Sequence, residues 1–520
     1  MIGDGERKVA DMPVTTLAGR RISPISRSLP RTIRSLCPEC LQAIAADEFI
    51  EDGRVIMQKS CPAHGTFKDI ISSDAEMFLQ MEAWHFEDGQ GFANPTGQVE
   101  GECPHRCGIC GWHTSHTSLA NVDLTSGCNL SCPICFADAN RHTYELSFDQ
   151  ALQTLKQLRA QCPAPAFAVQ FSGGEPTVHP RFLDIVASAK ALGFSHIQAA
   201  SNGIKLADLE FACRARDAGL QYIYLQMDGT TDEVFLKVRG RALLATKLAA
   251  LESARKAGLR VIFVPTIIRG VNDHQIGDLF RLAFEHLDVL SGIAFQPVTF
   301  TGRVPEGDRL QSRFTLADLA REFSGQTGLT HLREDWFPLS SAVPLIRFAG
   351  ALTGVALVNH TCHPHCGLMT LLFVDRDRRA APITRFVDLY QFLKDIEALA
   401  ARTRKTRIPV LSKVRALQTL KRHFHPDRAP EGLTFFRLLQ TLDGFADKRY
   451  SWDEAYRGHT YKTFYVLGMH FMDAYNYDVE RVSRCGVHYS APDGKIYPFC
   501  TYNSGPTFRN RVERGAKQAR

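Results

Sequence analysis

The sequence predicts an α/β protein: a six-unit partial (β/α) barrel flanked by N-terminal and C-terminal cysteine-rich metal-binding domains. Three observations carry that expectation. Apolar or β-branched runs at 119–125, 166–171, 195–200, 221–227, 260–267 and 291–297 alternate with amphipathic stretches, as in a parallel sheet with helical crossovers. All of the fifteen cysteines except Cys162 and Cys213 fall in groups. Polar motifs follow the six runs one after another, so that all of them land on one rim of the barrel, where β/α barrels collect their chemistry.

The units are justified in order. The first run ends at Thr125, just before Cys128-Asn129-Leu130-Ser131-Cys132-Pro133-Ile134-Cys135. Ser147 and Gln150 form a capping-box pair, and Ala151, Leu155 and Leu158 fall on one face of the helix that follows. The second run leads into Phe171-Ser172-Gly173-Gly174-Glu175-Pro176-Thr177, the third into Ser201-Asn202-Gly203 and the fourth into Asp228-Gly229-Thr230. Arg269 and Asn272 follow the fifth, and Gln296-Pro297 ends the sixth. The intervening helices stop near Gly193, Gly219 and Gly258, as glycine at a helix C-terminus predicts.

Around this core the expected boundaries are a tail over 1–30, a cysteine-rich domain over 31–116, the barrel over 117–305 and a C-terminal domain over 306–520. The chain of 520 residues carries a net charge of +6, too mild to argue for nucleic acid. It has no apolar run of eighteen residues or more, and its first residues lack a signal-peptide core. The expectation is a cytoplasmic protein, with room for peripheral contact with a membrane.

Grouped cysteines in a reducing compartment favour metal over disulfides. Cys128, Cys132 and Cys135, separated by three and then two residues, suit three corners of a [4Fe-4S] cube and leave one iron without a protein ligand. Cys37, Cys40 and Cys61 have the spacing of a zinc or rubredoxin-like iron site, with His64 either the fourth ligand or a turn cap. Cys103, Cys107 and Cys110 repeat the central spacing but follow no strand, which suits an accessory metal site. Cys362, Cys366, Cys485 and Cys500 offer four ligands for a closed accessory [4Fe-4S] cluster, with a structural zinc as the competing assignment.

The triad followed by Gly173-Gly174-Glu175-Pro176 resembles the radical S-adenosylmethionine (radical SAM) superfamily. That resemblance implies S-adenosylmethionine at the open iron and an external electron donor of flavodoxin or ferredoxin type. It implies cofactor contacts from Ser172, Gly173, Gly174 and Glu175, from Ser201 and Asn202, and more weakly from Asp228. Ile134 stands where the superfamily usually has an aromatic residue, and Phe136 follows the third cysteine. The Cys61-Pro62-Ala63-His64-Gly65 element, the stretch from Cys103 to Thr117, the form of the triad and the Tyr489–Pro506 block are similar to the archaeal tetraether lipid synthase group and its bacterial relatives, some labelled pterin-directed radical methylases. This likeness implies hydrogen abstraction from a lipid tail and carbon–carbon coupling. A radical methyltransferase acting on a pterin-like heterocycle, and an electron-transfer protein without turnover, are the competing expectations. Leu368, Met369, Leu371, Leu372 and Phe373 fit either an acyl channel or a core strand.

Overall fold

The computed structural model describes residues 15–17, 20–22, 28–86, 91–97, 103–105, 107–140, 144–305, 307, 309–406, 408–446, 461–505 and 508–518. It begins with an antiparallel meander of β1 (Arg31–Leu36), β2 (Ala43–Glu51), β3 (Arg54–Cys61) and β4 (Gly65–Ser72). The Asp52-Gly53 turn joins β2 to β3, both residues at positive φ, which aspartate and glycine tolerate best. Helix α1 (Ala75–Ala83) starts where the Asp74 side chain accepts from the Met77 N–H.

The barrel strands are β5 (Leu119–Thr125), β6 (Ala168–Gly173), β7 (His196–Ser201), β8 (Tyr222–Leu225), β9 (Arg260–Phe263) and β10 (Leu290–Pro297), parallel throughout and in sequential order. Between them run α2 (Phe148–Arg159), α3 (Phe182–Ala191), α4 (Leu209–Ala218), α5 (Asp232–Arg239), α6 (Leu244–Ala257) and α7 (Ile276–Glu285). The expected capping box opens α2, and Gly219 and Gly258 cap α4 and α6. The fifth run breaks after Phe263 and resumes as a two-residue strand, Thr266–Ile267.

After the barrel come α8 (Leu316–Thr327), α9 (Val343–Thr353), β11 (Gly367–Asp375), α10 (Leu389–Thr406), α11 (Pro409–His423), α12 (Phe435–Ala446), β12 (Tyr461–Met469), β13 (Val487–Ser490) and β14 (Ile496–Pro498). The C-terminal third is woven into the sheet itself. Strand β12 adds in parallel beside β10, and β13 adds in parallel beside β5. Eight parallel strands result, in the order β13-β5-β6-β7-β8-β9-β10-β12, with β14 and β11 antiparallel at the two edges. The hairpin from β13 to β14 turns at Asp493-Gly494, as the sequence suggests.

The main core lies between this sheet and its helices, where Phe171, Phe182, Phe263 and Phe295 are buried. A second core joins α9 and α10 to β11 through Phe373, Phe386, Leu393 and Ile396. The five apolar residues over 368–373 are therefore strand residues: Leu368, Leu371, Leu372 and Phe373 are buried in these cores, and Met369 packs against the second.

Candidate active site and metal centres

Alternate residues of a barrel strand point inward, and seven of the eight parallel strands, all but β9, send residues into one cavity of about 220 Å³. Asn121 and Asp123 come from β5, Gln170 and Ser172 from β6, Tyr224 from β8, Gln296 from β10, Met469 from β12, and Val487 and Tyr489 from β13. Cys128, Cys132 and Cys135 line the mouth of the same cavity, together with Gly173, Gly174, Glu175, Ser201 and Asn202.

The triad loop is held from three sides. The Asn140 side chain accepts from the Cys128 N–H at 2.7 Å and donates to the carbonyls of Cys128 and Leu130. Arg303 donates to the Cys132 carbonyl at 3.1 Å, and its own N–H donates to the Cys135 carbonyl at 3.0 Å. Asn202 donates to the Asn129 side chain at 2.6 Å and faces the Cys128 Sγ at 3.9 Å. Burial pushes the Cys128 thiol up to about 12 and raises Cys132, although Arg239 beside Cys132 pulls the other way. Thiols in this environment stay protonated until a metal supplies compensating positive charge. Three thiols grouped on one wall of the cavity fit an iron–sulfur cluster.

The Gly173-Gly174 turn packs directly on this loop. The Gly174 N–H donates to the Thr125 carbonyl at 2.7 Å and the Glu175 N–H to the Gly127 carbonyl at 3.0 Å. A Cβ at Gly174 would sit 2.3 Å from the Gly127 carbonyl oxygen and 2.7 Å from that of Ser126. Gly174→Ala is therefore expected to push the triad loop off its seat. Formation of 5′-deoxyadenosine should fall at least about tenfold, a rise of ~1.4 kcal/mol or more in the barrier, while the metal content of the ribbon stays unchanged.

Glu175 has a structural task. Its buried carboxylate accepts from the Thr177 N–H and hydroxyl, the Ser201 hydroxyl and the Asn202 N–H, the last at 2.7 Å. Asp228 does not line the cavity. It is fully buried, pairs with Arg239 through two 2.7 Å hydrogen bonds, and accepts from the Thr266 N–H. Arg239 is the residue that reaches the cavity wall. Asn272 buttresses this pair by donating to the Asp228 and Thr266 carbonyls, and Arg269 turns away to Asp318. Phe136 and Ile134 both line the cavity, so the aromatic displaced by one position still faces it.

Sequence reasoning missed the cavity floor. Asn121, Gln170 and Gln198 form a chain of amide hydrogen bonds, and the Ser172 hydroxyl donates to Asp123 at 2.7 Å. Arg509, 386 residues away, donates to the other Asp123 oxygen at 2.6 Å and lies against the Tyr489 and Tyr502 rings. The available signal was polar residues at alternate positions of parallel strands, which ordinarily read as continuous apolar runs.

Among the described residues, one group brings three or more ligand atoms within 4.8 Å of one another: Cys37, Cys40, Cys61 and His64. Cys37 Sγ and Cys61 Sγ lie 3.6 and 3.4 Å from His64 Nδ1, and Cys40 Sγ lies 3.9 Å from Cys61 Sγ. Tetrahedral zinc with sulfur and nitrogen ligands requires edges of about 3.6–3.8 Å. His64 thus stands where a fourth ligand would, and its ring draws the Cys61 thiol down to about 6. Cys40→Ser is expected to remove about one equivalent of metal by elemental analysis and to open β1–β4 to proteolysis.

No other cysteine group among the described residues meets that 4.8 Å limit. Cys103 and Cys107 pack beside Cys485 and Cys500 in one apolar cluster that includes Tyr477. Burial raises the thiols of Cys362, Cys485 and Cys500, and Cys366 adds to the rise in all three. Of the six cysteines between 37 and 110, Cys37, Cys40 and Cys61 belong to the ribbon, and Cys103 and Cys107 to this C-terminal neighbourhood.

Comparison with known proteins agrees with this geometry. Residues 122–283 match the Radical SAM superfamily, and residues 29–73 match the HMPTM N-terminal zinc ribbon domain. The fold and the donor set define a radical SAM enzyme that uses a [4Fe-4S] cluster and S-adenosylmethionine and carries an N-terminal metal site. The 7,8-dihydro-6-hydroxymethylpterin dimethyltransferase of Methanocaldococcus jannaschii is 40% identical over 476 residues, covering 90% of this chain and 92% of that protein. This chain belongs to the same family. A GTP 3′,8-cyclase of Parasynechococcus marenigrum is 28% identical over 289 residues, 50% of this chain and 79% of its own. Among solved structures, Streptococcus suis SuiB bound to S-adenosylmethionine overlays with a TM-score of 0.34 at 17% identity, covering 40% of this chain and 46% of that one.

Proposed function

We propose that this enzyme is a radical SAM methyltransferase whose substrate is a reduced pterin or a close heterocyclic analogue. The observation that carries the reading is the 40% identity to the pterin dimethyltransferase across nine-tenths of the chain. The cavity wall supports it. Asn121, Gln170, Gln226, Gln296 and Asn503, with Asp123, surround a space also edged by Tyr224, Tyr489 and Phe499. Side-chain amides and a carboxylate match the alternating donors and acceptors of a flat heterocycle, and aromatic rings suit its faces. An acyl chain would offer no partner to the Asn121 Nδ2, which is buried without a hydrogen bond, and would pack hydrocarbon against polar walls, so lipid-tail coupling has no support in this site.

In this reading Cys128, Cys132 and Cys135 hold the catalytic cluster. When bound, the cluster and S-adenosylmethionine together supply a 5′-deoxyadenosyl radical. The Gly174 and Glu175 N–H groups are spent on the triad loop, so the turn would meet the cofactor amine through carbonyl oxygens. Asn202 bridges that turn to the triad loop, and Phe136 or Ile134 covers the adenine. Arg239, fixed by Asp228, brings positive charge beside Cys132 and favours its thiolate. Cys362, Cys366, Cys485 and Cys500 ligate an accessory cluster, Cys103, Cys107 and Cys110 a further one, and the N-terminal site takes zinc. An external low-potential protein donor delivers the electron.

The test is anaerobic incubation of reconstituted, reduced enzyme with 7,8-dihydro-6-hydroxymethylpterin and S-adenosylmethionine, followed by mass spectrometry. A pterin product heavier by one or two methylene units, formed together with 5′-deoxyadenosine, is expected. A pterin of unchanged mass alongside newly coupled lipid chains in cell extracts would overturn the reading.

A further inference from the structure

Helix α11 has an outward face that no part of the described chain covers. Val410, Val414 and Leu417 are 73%, 45% and 46% exposed, and at helical spacing they fall within about 60° of arc. Leu411 is also exposed, as is Ile408 just before the helix. The opposite face is the packed one: Ser412, Thr419 and Leu420 are buried, with Ser412 accepting from the Thr403 hydroxyl of α10. Exposed Lys413 lies on one side of the apolar stripe and exposed Arg415 and Arg422 on the other, with Lys421 at its end. Between Ala398 and Pro426 the chain has eight lysines and arginines and no aspartate or glutamate. The nearest acids on α10 are already engaged, Asp395 by His423 and Arg422, and Glu397 by Arg347.

An apolar stripe between two basic flanks, turned outward on a rigid helix, is the pattern of a segment lying in a membrane interface. We propose that α11 docks the enzyme peripherally on an anionic lipid surface, with Val410, Val414 and Leu417 entering the headgroup boundary and the flanking basic residues meeting lipid phosphates. Charge complementarity selects this occupant. A second copy of the chain would bring like charges together, and a neutral surface would leave the basic flanks unpaired. The docking is independent of the substrate, because none of these residues lines the catalytic cavity.

The test is cosedimentation of the full-length holoenzyme with vesicles of phosphatidylglycerol or of phosphatidylcholine. Binding to the anionic vesicles alone is expected, weakening at high salt. V414E/L417E and K413E/R415E should each lower partitioning at least about tenfold while forming 5′-deoxyadenosine at the parent rate, which shows that the variants are folded. No binding to anionic vesicles, equal binding to phosphatidylcholine, or undiminished binding by V414E/L417E would overturn the proposal. So would binding to polyglutamate without binding to vesicles, which would assign the face to an acidic protein.

Discussion

Replacing Arg313 with methionine is expected to destabilise the protein by about 3–5 kcal/mol, because it strands the buried Asp473 carboxylate without its counter-charge and leaves Asp69 only Arg309. Arg313 is 1% exposed. It donates to both oxygens of Asp69, at 3.1 and 2.5 Å, and to both oxygens of Asp473, at 2.7 and 3.2 Å. Asp69 belongs to β4 of the ribbon, Asp473 follows β12, and Arg313 precedes α8, so one guanidinium joins the ribbon, the post-barrel segment and the end of a sheet strand. Arg309 also reaches Asp69 at 2.5 Å, whereas the remaining donors to Asp473 are the uncharged Phe300, Tyr475 and Asn476 N–H groups. Calorimetry should show a fall of about 5 °C or more in the melting temperature. The triple variant D69N/R313M/D473N should recover most of the loss, since removing the charges together leaves no ion unpaired. A melting temperature unchanged in R313M would mean that water reaches this network.

The sequence made the barrel legible because each β/α unit writes its signals locally. The run at 119–125 is β5 residue for residue, and the capping pair Ser147 and Gln150 forms as the spacing indicates. Asp228 shows where local reading fails. It shares alternation parity with Tyr224 and Gln226, which do line the cavity, but β8 ends at Leu225. Beyond a strand end parity no longer fixes direction, and Asp228 turns instead to Arg239 on α5. Strands β12 and β13 were equally hard to foresee, because pairing across hundreds of residues leaves no periodic trace. The Asp123–Arg509 contact is of the same kind. His64 lay between the two extremes: its spacing allowed a ligand or a turn cap, and the convergence of β1, β3 and β4 was needed to place it against three thiols.

Substituting Cys128, Cys132 and Cys135 together by alanine should reduce 5′-deoxyadenosine below detection and remove about four irons per chain, leaving the remaining iron and the ribbon metal in place. The argument is geometric. These thiols alone among the cysteines line the cavity that also holds the Gly173-Gly174 turn and the amide-rich floor. Cys107→Ala provides the contrast, since Cys107 repeats the spacing but packs with Cys485 and Cys500 instead. It should lose iron while retaining cleavage of S-adenosylmethionine by a strong chemical reductant. Elemental analysis with paramagnetic resonance of the reduced protein separates the outcomes: if the triple alanine variant kept its iron and its 5′-deoxyadenosine, the catalytic centre would have to be built from Cys103, Cys107 and Cys110. The local frame makes the first result the expected one, because Asn140, Arg303 and Asn202 all converge on the Cys128–Cys135 loop and hold it against the Gly-Gly turn.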